Sequence, residues 1–242
     1  CKPLAPRPTP KTIHDLRPDD FSTIMGIGDS IMAGMGAGQV DTKLSDGIWH
    51  AMREWRGANF ATGGDPESIS VGNIIRRYRP DIRGLSYGNH SWEFCYGVNI
   101  DNQLNYLNKY LPTVDPDYQT SWKLAIYELG YNDLCSACMA PKSKAAAKES
   151  VLDNFRHQTR RAVERIRFMA PKTVVVLMGP FNLTQISDVA SRSPTCKKRR
   201  AFLGLECPCL MKTANRLLGS FQTMDDLAVA MNDVLQDVAN EY

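Results

Sequence analysis

Histidine is scarce in this sequence: only His14, His50, His90 and His157 occur among 242 residues. No stretch of about 18 apolar residues is present either, which excludes a membrane-spanning helix and an uncleaved signal peptide within these residues. Neither sign of charge dominates, with 29 basic and 26 acidic side chains and a formal net charge of +3. That balance points away from nucleic acid and from strongly acidic partners, and is compatible with mild contact to an anionic membrane surface. Internal repeats and long low-complexity segments are also lacking. The one biased patch, Lys197 to Arg200, reads as solvated charge by default.

The 43% apolar content is enough, over 242 residues, for one substantial core. Residues 1–20 contain five prolines before Asp19 and little periodicity, so they are expected to lie extended over the surface, held by a tether such as a bridge through Cys1. Residues 21–242 are read as one domain. Short apolar or β-prone runs occur at Phe21 to Ile27, Ala58 to Thr62, Ile82 to Tyr87, Lys123 to Leu129 and Thr173 to Met178. Helical patterns lie between and after them, at Ile48 to Trp55, Val71 to Tyr78, Asp101 to Tyr110 and Lys144 to Met169. A last amphipathic helix is predicted over Thr223 to Glu241, with Thr223 as N-cap and Leu227, Met231, Val234, Leu235 and Val238 on one face. Such alternation predicts a mainly parallel sheet covered on both faces. The last helix is followed by no strand, so the final strand of the sheet is expected to lie outside this chain.

Seven cysteines are present, Cys1, Cys95, Cys135, Cys138, Cys196, Cys207 and Cys209, and an odd number leaves at least one without an internal partner. The sequons at Asn89 and Asn182 and a first residue that is cysteine rather than methionine read as a processed, secreted or lysosomal eukaryotic glycoprotein. In that setting Cys135, Cys138, Cys196, Cys207 and Cys209 are disulfide candidates. A four-thiolate zinc site on Cys135-x-x-Cys138 and Cys207-x-Cys209 is the weaker reading, because the second pair is separated by a single residue. No metal or other cofactor is expected.

The sharpest chemical signal is Gly28-Asp29-Ser30-Ile31-Met32-Ala33-Gly34, which directly follows the first predicted strand. Ligands of open α/β sheets bind at the carboxyl ends of strands. A serine there, at the start of an expected helix, is a candidate nucleophile with a backbone N–H to steady an oxyanion; a plain helix cap is the alternative. Met32 and Met35 fit an acyl pocket and core packing equally well.

This segment resembles the first block of the GDSL or SGNH hydrolases, with Ile31 at the leucine position. Arg56-Gly57-Ala58-Asn59-Phe60-Ala61-Thr62-Gly63-Gly64-Asp65 looks like a second block, and Gly130-Tyr131-Asn132-Asp133-Leu134-Cys135 like a third. Thr12 to Pro18, Cys135-x-x-Cys138, and Cys196 followed by Cys207-Pro208-Cys209 extend the resemblance to the phospholipase B branch, in order from Cys1 to about Cys209. The resemblance implies a three-layer α/β/α flavodoxin-like fold and hydrolysis of phospholipid or lysophospholipid esters through an acyl-enzyme on Ser30. It also implies an oxyanion hole from the N–H of Ser30, the N–H of Gly64 (Gly63 if shifted by one) and the Asn132 amide, with Gly28, Asp29 and Asp133 in support.

One part of the family pattern is missing. The Asp-x-x-His block that supplies the general base occurs nowhere in these residues, and none of the four histidines is nominated in its place. The expectation is a second polypeptide, produced by proteolysis and retained, carrying the catalytic Asp and His. An esterase acting on other lipids or sugar acetates, and a noncatalytic binding protein on the same scaffold, are the alternative functions.

Overall fold

The computed structural model describes residues 4–37, 53–89, 100–139, 144–194 and 207–242. It divides into two compact units, Cys1–Glu128 with Ala162–Val176, and Leu129–Arg161 with Leu177–Tyr242.

The first unit is built on strands β1 (Phe21–Gly28) and β2 (Trp122–Glu128), which pair in parallel with Ile24 opposite Leu124 and Gly28 opposite Glu128. Strand β3 (Thr173–Met178) adds to the other side of β2, giving the order β1-β2-β3. Every residue of β2 is buried, as expected of a central strand covered on both faces. Ile24, Met32, Ala61, Ile75, Ile82, Leu124 and Ile126 make one apolar cluster against β1 and β2. Among its described residues this unit holds helices α1 (Val71–Arg76) and α2 (Ile100–Val114). Helix α1 starts at Ser70, whose hydroxyl accepts the Asn73 N–H at 2.9 Å. Helix α2 buries Ile100, Leu104 and Leu111.

The N-terminal segment forms two single 3-10 turns, at Ile13–Asp15 and Pro18–Asp20. It is tied down by the Trp122 indole, which donates to the Pro10 carbonyl at 3.1 Å, and by Arg79, which donates to the Asp19 carbonyl at 3.2 Å, while Arg7 and Arg17 brace it internally on Asp20 and Asp19. The suggested tether through Cys1 lies outside the described residues.

Two of the predicted strands are not strands. Residues 58–62 fold as a turn instead, because the Asn59 side-chain oxygen takes the N–H groups of Ala61 and Thr62 at 2.9 and 2.7 Å and satisfies them locally. The 82–87 run makes only isolated parallel bridges, Arg83 with Thr23 and Ser86 with Gly63. Gly84 breaks it: its φ of +83° reverses the pleat, and a β-carbon there would stand 2.1 Å from the Ile24 carbonyl oxygen. Of the helix predicted over Ile48 to Trp55, the described residues 53–55 are not helical, and the rest lies outside the described residues.

The second unit contains helices α3 (Tyr131–Ser136), α5 (Thr184–Arg192), α6 (Lys212–Leu218) and α7 (Ser220–Ala239). Helix α4 (Lys144–Met169) runs from this unit into the first and buries Phe155, Thr159, Ala162, Val163, Ile166 and Met169 along one stripe. In α7 the predicted face is buried, with Leu227, Met231, Val234, Leu235 and Val238 all at most 4% exposed. Its start differs from the expectation: Gly219 precedes the first turn, and the Thr223 hydroxyl donates back to the Gly219 carbonyl from within the helix. Disulfides Cys135–Cys207 and Cys138–Cys209 join the α3 region to the 3-10 turn Pro208–Leu210. These pairings displace the zinc reading. Closing a loop of 72 residues restrains the unfolded chain, by about 4 kcal/mol for one such bridge in the chain-entropy account. Cys1, Cys95, Cys196 and the Lys197 to Arg200 cluster lie outside the described residues.

Candidate active site

Ser30 stands two residues beyond the end of β1, half-buried, and its hydroxyl bonds to none of the described residues. From Ser30 to Ala37 the described chain makes a tight turn rather than a helix. Ala33 N–H reaches the Asp29 carbonyl at 3.0 Å and Met35 N–H the Ser30 carbonyl at 2.9 Å, after which Gly34, at φ +69°, turns the backbone away. Asp29 accepts the Ile31 N–H at 2.9 Å and so braces the turn from inside. The side chain of Met32 packs into the apolar cluster, leaving Ile31 at the surface.

The second motif is brought against the first. Gly26 of β1 faces Met32 and Thr62, and Gly34 faces the Trp55 carbonyl and the Asn59 side chain. Its two glycine donors are nevertheless engaged: Gly64 N–H bonds the Ser86 carbonyl at 2.7 Å and Gly63 N–H the Asn59 carbonyl at 3.2 Å. An oxyanion role for either would require that bond to be exchanged for one to substrate. Tyr87 covers Gly64, and Arg76 donates to the Gly64 carbonyl at 3.2 Å.

The third motif opens α3. Gly130 takes φ +118° as the residue before the helix, and Asn132 in the first turn is exposed. Tyr131 and Leu134 are buried beside it, and burial pushes the half-buried Asp133 carboxyl above the usual range. His14 and His157 are both exposed, and His50 and His90 lie outside the described residues. Asn182 is exposed, and its side-chain oxygen accepts the Thr184 N–H at 2.9 Å; Asn89 is exposed, with the remainder of its sequon outside the described residues.

Two residues near the Ser30 turn carry no family motif. Gln103 on α2 bonds the backbone of Gly28, and Glu128 at the end of β2 is completely buried with a carboxyl oxygen 2.9 Å from where a Gly28 side chain would start. The sequence signal for Glu128 was an acid inside an otherwise apolar strand run. Gln103 carried no signal, since a glutamine on an amphipathic helix reads as surface. The backbone N–H groups of Asp29 and Met32 face the Glu128 carboxyl and favour its charged form. Burial, and next the Asp29 charge, push its pKa up to about 8. The folded protein therefore holds a proton on Glu128 at neutral pH that the unfolded chain gives up, and stability falls as pH rises from about 4.5 to about 8. Urea unfolding of Glu128→Gln across the same range is expected to lack that slope; a parallel dependence in variant and parent would show that Glu128 is ionised in the fold.

No helix among the described residues is long and apolar enough to cross a membrane. The family model for GDSL-like lipase/acylhydrolase matches residues 24–242. Curated relatives include the membrane-associated phospholipase B1 of mouse, 27% identical over 218 residues, covering 84% of this chain and 14% of the relative. Those of rat and human are each 23% identical, covering 95% and 98% of this chain and 18% of the relative. The chain thus spans less than a fifth of the length of these relatives. No solved structure shows a significant match. The model match extends from β1 through α7 and includes Ser30 and Asn132, and on that evidence the chain belongs to the GDSL-like lipase/acylhydrolase family.

Proposed function

We propose that this chain carries the nucleophile of a serine esterase that hydrolyses acyl esters of phospholipids or lysophospholipids. The observation that supports it best is Ser30 itself, half-buried at the carboxyl end of β1 with a hydroxyl unengaged by the described residues, within the part matched by the acylhydrolase model. The phospholipid class is supported by the relatives, which are phospholipases B1.

In this reading the Ser30 Oγ attacks the acyl carbonyl while a histidine takes its proton. The oxyanion is met by the Ser30 N–H and the Asn132 side-chain amide, the Gly64 N–H joining only if it leaves Ser86. Collapse of the tetrahedral intermediate expels the glycerol-side oxygen, which takes the proton from the histidine, and water then releases the fatty acid from Ser30. The histidine and its aspartate lie outside these residues, since no Asp-x-x-His spacing occurs here and both described histidines are exposed. Two disulfides support an oxidising, secretory setting, with glycans on Asn89 and Asn182.

The test uses the protein as isolated, unreduced, with any polypeptide that accompanies it. A fluorophosphonate should label a single peptide, the one containing Ser30, and the labelled material should no longer release fatty acid from lysophosphatidylcholine. Absence of label in material shown to be folded would favour the noncatalytic scaffold.

A further inference from the structure

Among the described residues, strand β1 pairs with another strand, β2, on one side only. On its other side the backbone groups of Ser22 and Ile24 bond Arg83: Arg83 N–H to the Ser22 carbonyl at 2.9 Å, and Ile24 N–H to the Arg83 carbonyl at 3.0 Å. Gly84 then bends that neighbouring segment at positive φ, and among the described residues no strand continues beside β1 on this flank. Strand geometry aims the N–H and C=O of alternate residues to the same side, so Gly28 presents both groups to the flank served by Arg83 at Ser22 and Ile24.

Gln103 fills that position. Its Oε1 accepts the Gly28 N–H at 3.0 Å and its Nε2 donates to the Gly28 carbonyl at 2.9 Å. A primary amide offers a donor and an acceptor side by side, as a peptide group of an adjacent strand does. Gly28 is the last residue of β1, and Ser30 follows two residues later. We infer that Gln103 is a positioning residue for the nucleophile: its side-chain amide pairs with the Gly28 backbone as a neighbouring strand would and fixes the backbone from which Ser30 is presented.

The inference rests on the esterase reading of Ser30. A nucleophile must be held close to its attack geometry, and displacement of about 1 Å costs about 100-fold. Gln103→Leu removes both bonds. Gln103→Glu keeps the acceptor for the Gly28 N–H but sets a carboxylate oxygen against the Gly28 carbonyl. Each is expected to lower kcat on lysophosphatidylcholine about 10- to 100-fold with KM within about twofold of the parent, and to slow fluorophosphonate labelling of Ser30 to a similar degree. Tyr106→Ala, at a position 62% exposed on the same helix, controls for damage to α2 and should leave both measurements unchanged.

A Gln103→Leu variant with the parent's kcat would overturn the inference, as would a loss confined to KM or one matched by Tyr106→Ala. If the leucine variant does not fold, the isosteric glutamate variant decides by the same criteria. Failure of the underlying reading looks different: the parent itself would not label at Ser30, and the positioning role would fall with it. A Ser30-labelled parent whose Gln103 variants turn over normally refutes the positioning role alone.

Discussion

Ser30→Ala is expected to reduce lysophospholipid hydrolysis by roughly 10,000-fold or more, with the fold intact. The chemistry gives the size: without the hydroxyl no acyl-enzyme forms, and only oxyanion stabilisation and substrate binding remain to act on a direct attack by water. The structure gives the second half. The Ser30 side chain bonds to none of the described residues, and the turn is held by backbone bonds from Asp29 and Ser30 and by the Asp29 side chain. Removing one half-buried oxygen should therefore leave the thermal midpoint within about 2 °C of the parent. Turnover measured by fatty-acid release, beside a thermal scan, separates the two effects. Hydrolysis at the parent rate in the alanine variant would show that another residue is the nucleophile.

Most of the layout was legible because periodicity reports burial. The Phe21 to Ile27 run and the α7 face are buried close to where they were expected, and the run ending in Met178 forms the expected strand, although none of its residues is fully buried and Val176 is exposed. Failures fall where one side chain or one dihedral overrules the pattern. Ala58 to Thr62 is apolar enough for a strand, yet Asn59 supplies its own acceptor and closes a turn. Gly34 and Gly84, both at positive φ, stop a helix after Ser30 and a strand after Arg83. The site was legible as a nucleophile and lost as a support. Gly28-Asp29-Ser30 is contiguous, whereas Gln103 lies 75 residues from Gly28 and no local pattern links the two. The charged members of β2 show the same limit, since Lys123 and Glu128 break an apolar run without revealing that both are fully buried.

Asp115→Ala is expected to cost about 3 to 5 kcal/mol of stability, the range for leaving buried partners of a charged group uncompensated. Asp115 is fully buried at the end of β1 opposite Ser30. One of its oxygens accepts the hydroxyls of Ser22, Thr23 and Ser121 at 2.7, 2.8 and 2.9 Å. The other accepts Arg83 at 2.6 Å and the Asp117 N–H at 3.1 Å. Burial alone would raise this carboxyl, but the Ser22, Thr23 and Ser121 hydroxyls and the Asp117 N–H outweigh it, and the net pKa is lowered. Lys123 adds to the dependence. Burial lowers its pKa to about 8, and the Asp115 charge is what resists that fall, so removing the aspartate makes the buried ammonium harder to keep. A carboxyl with a depressed folded pKa contributes its stability above its unfolded value near 3.8 and loses it as pH falls through the folded one. Chemical unfolding should therefore show the full deficit of the alanine variant near neutral pH and a narrowing gap in acid. Asp115→Asn, which keeps the shape and loses the charge, should fall between the two. Because Ser22, Thr23 and Arg83 hold the start of β1 and its outer flank through this one side chain, the alanine variant should also weaken Ser30 labelling in proportion to its unfolded fraction and no further. Labelling lost well before the protein unfolds would mean that the network reaches the nucleophile directly.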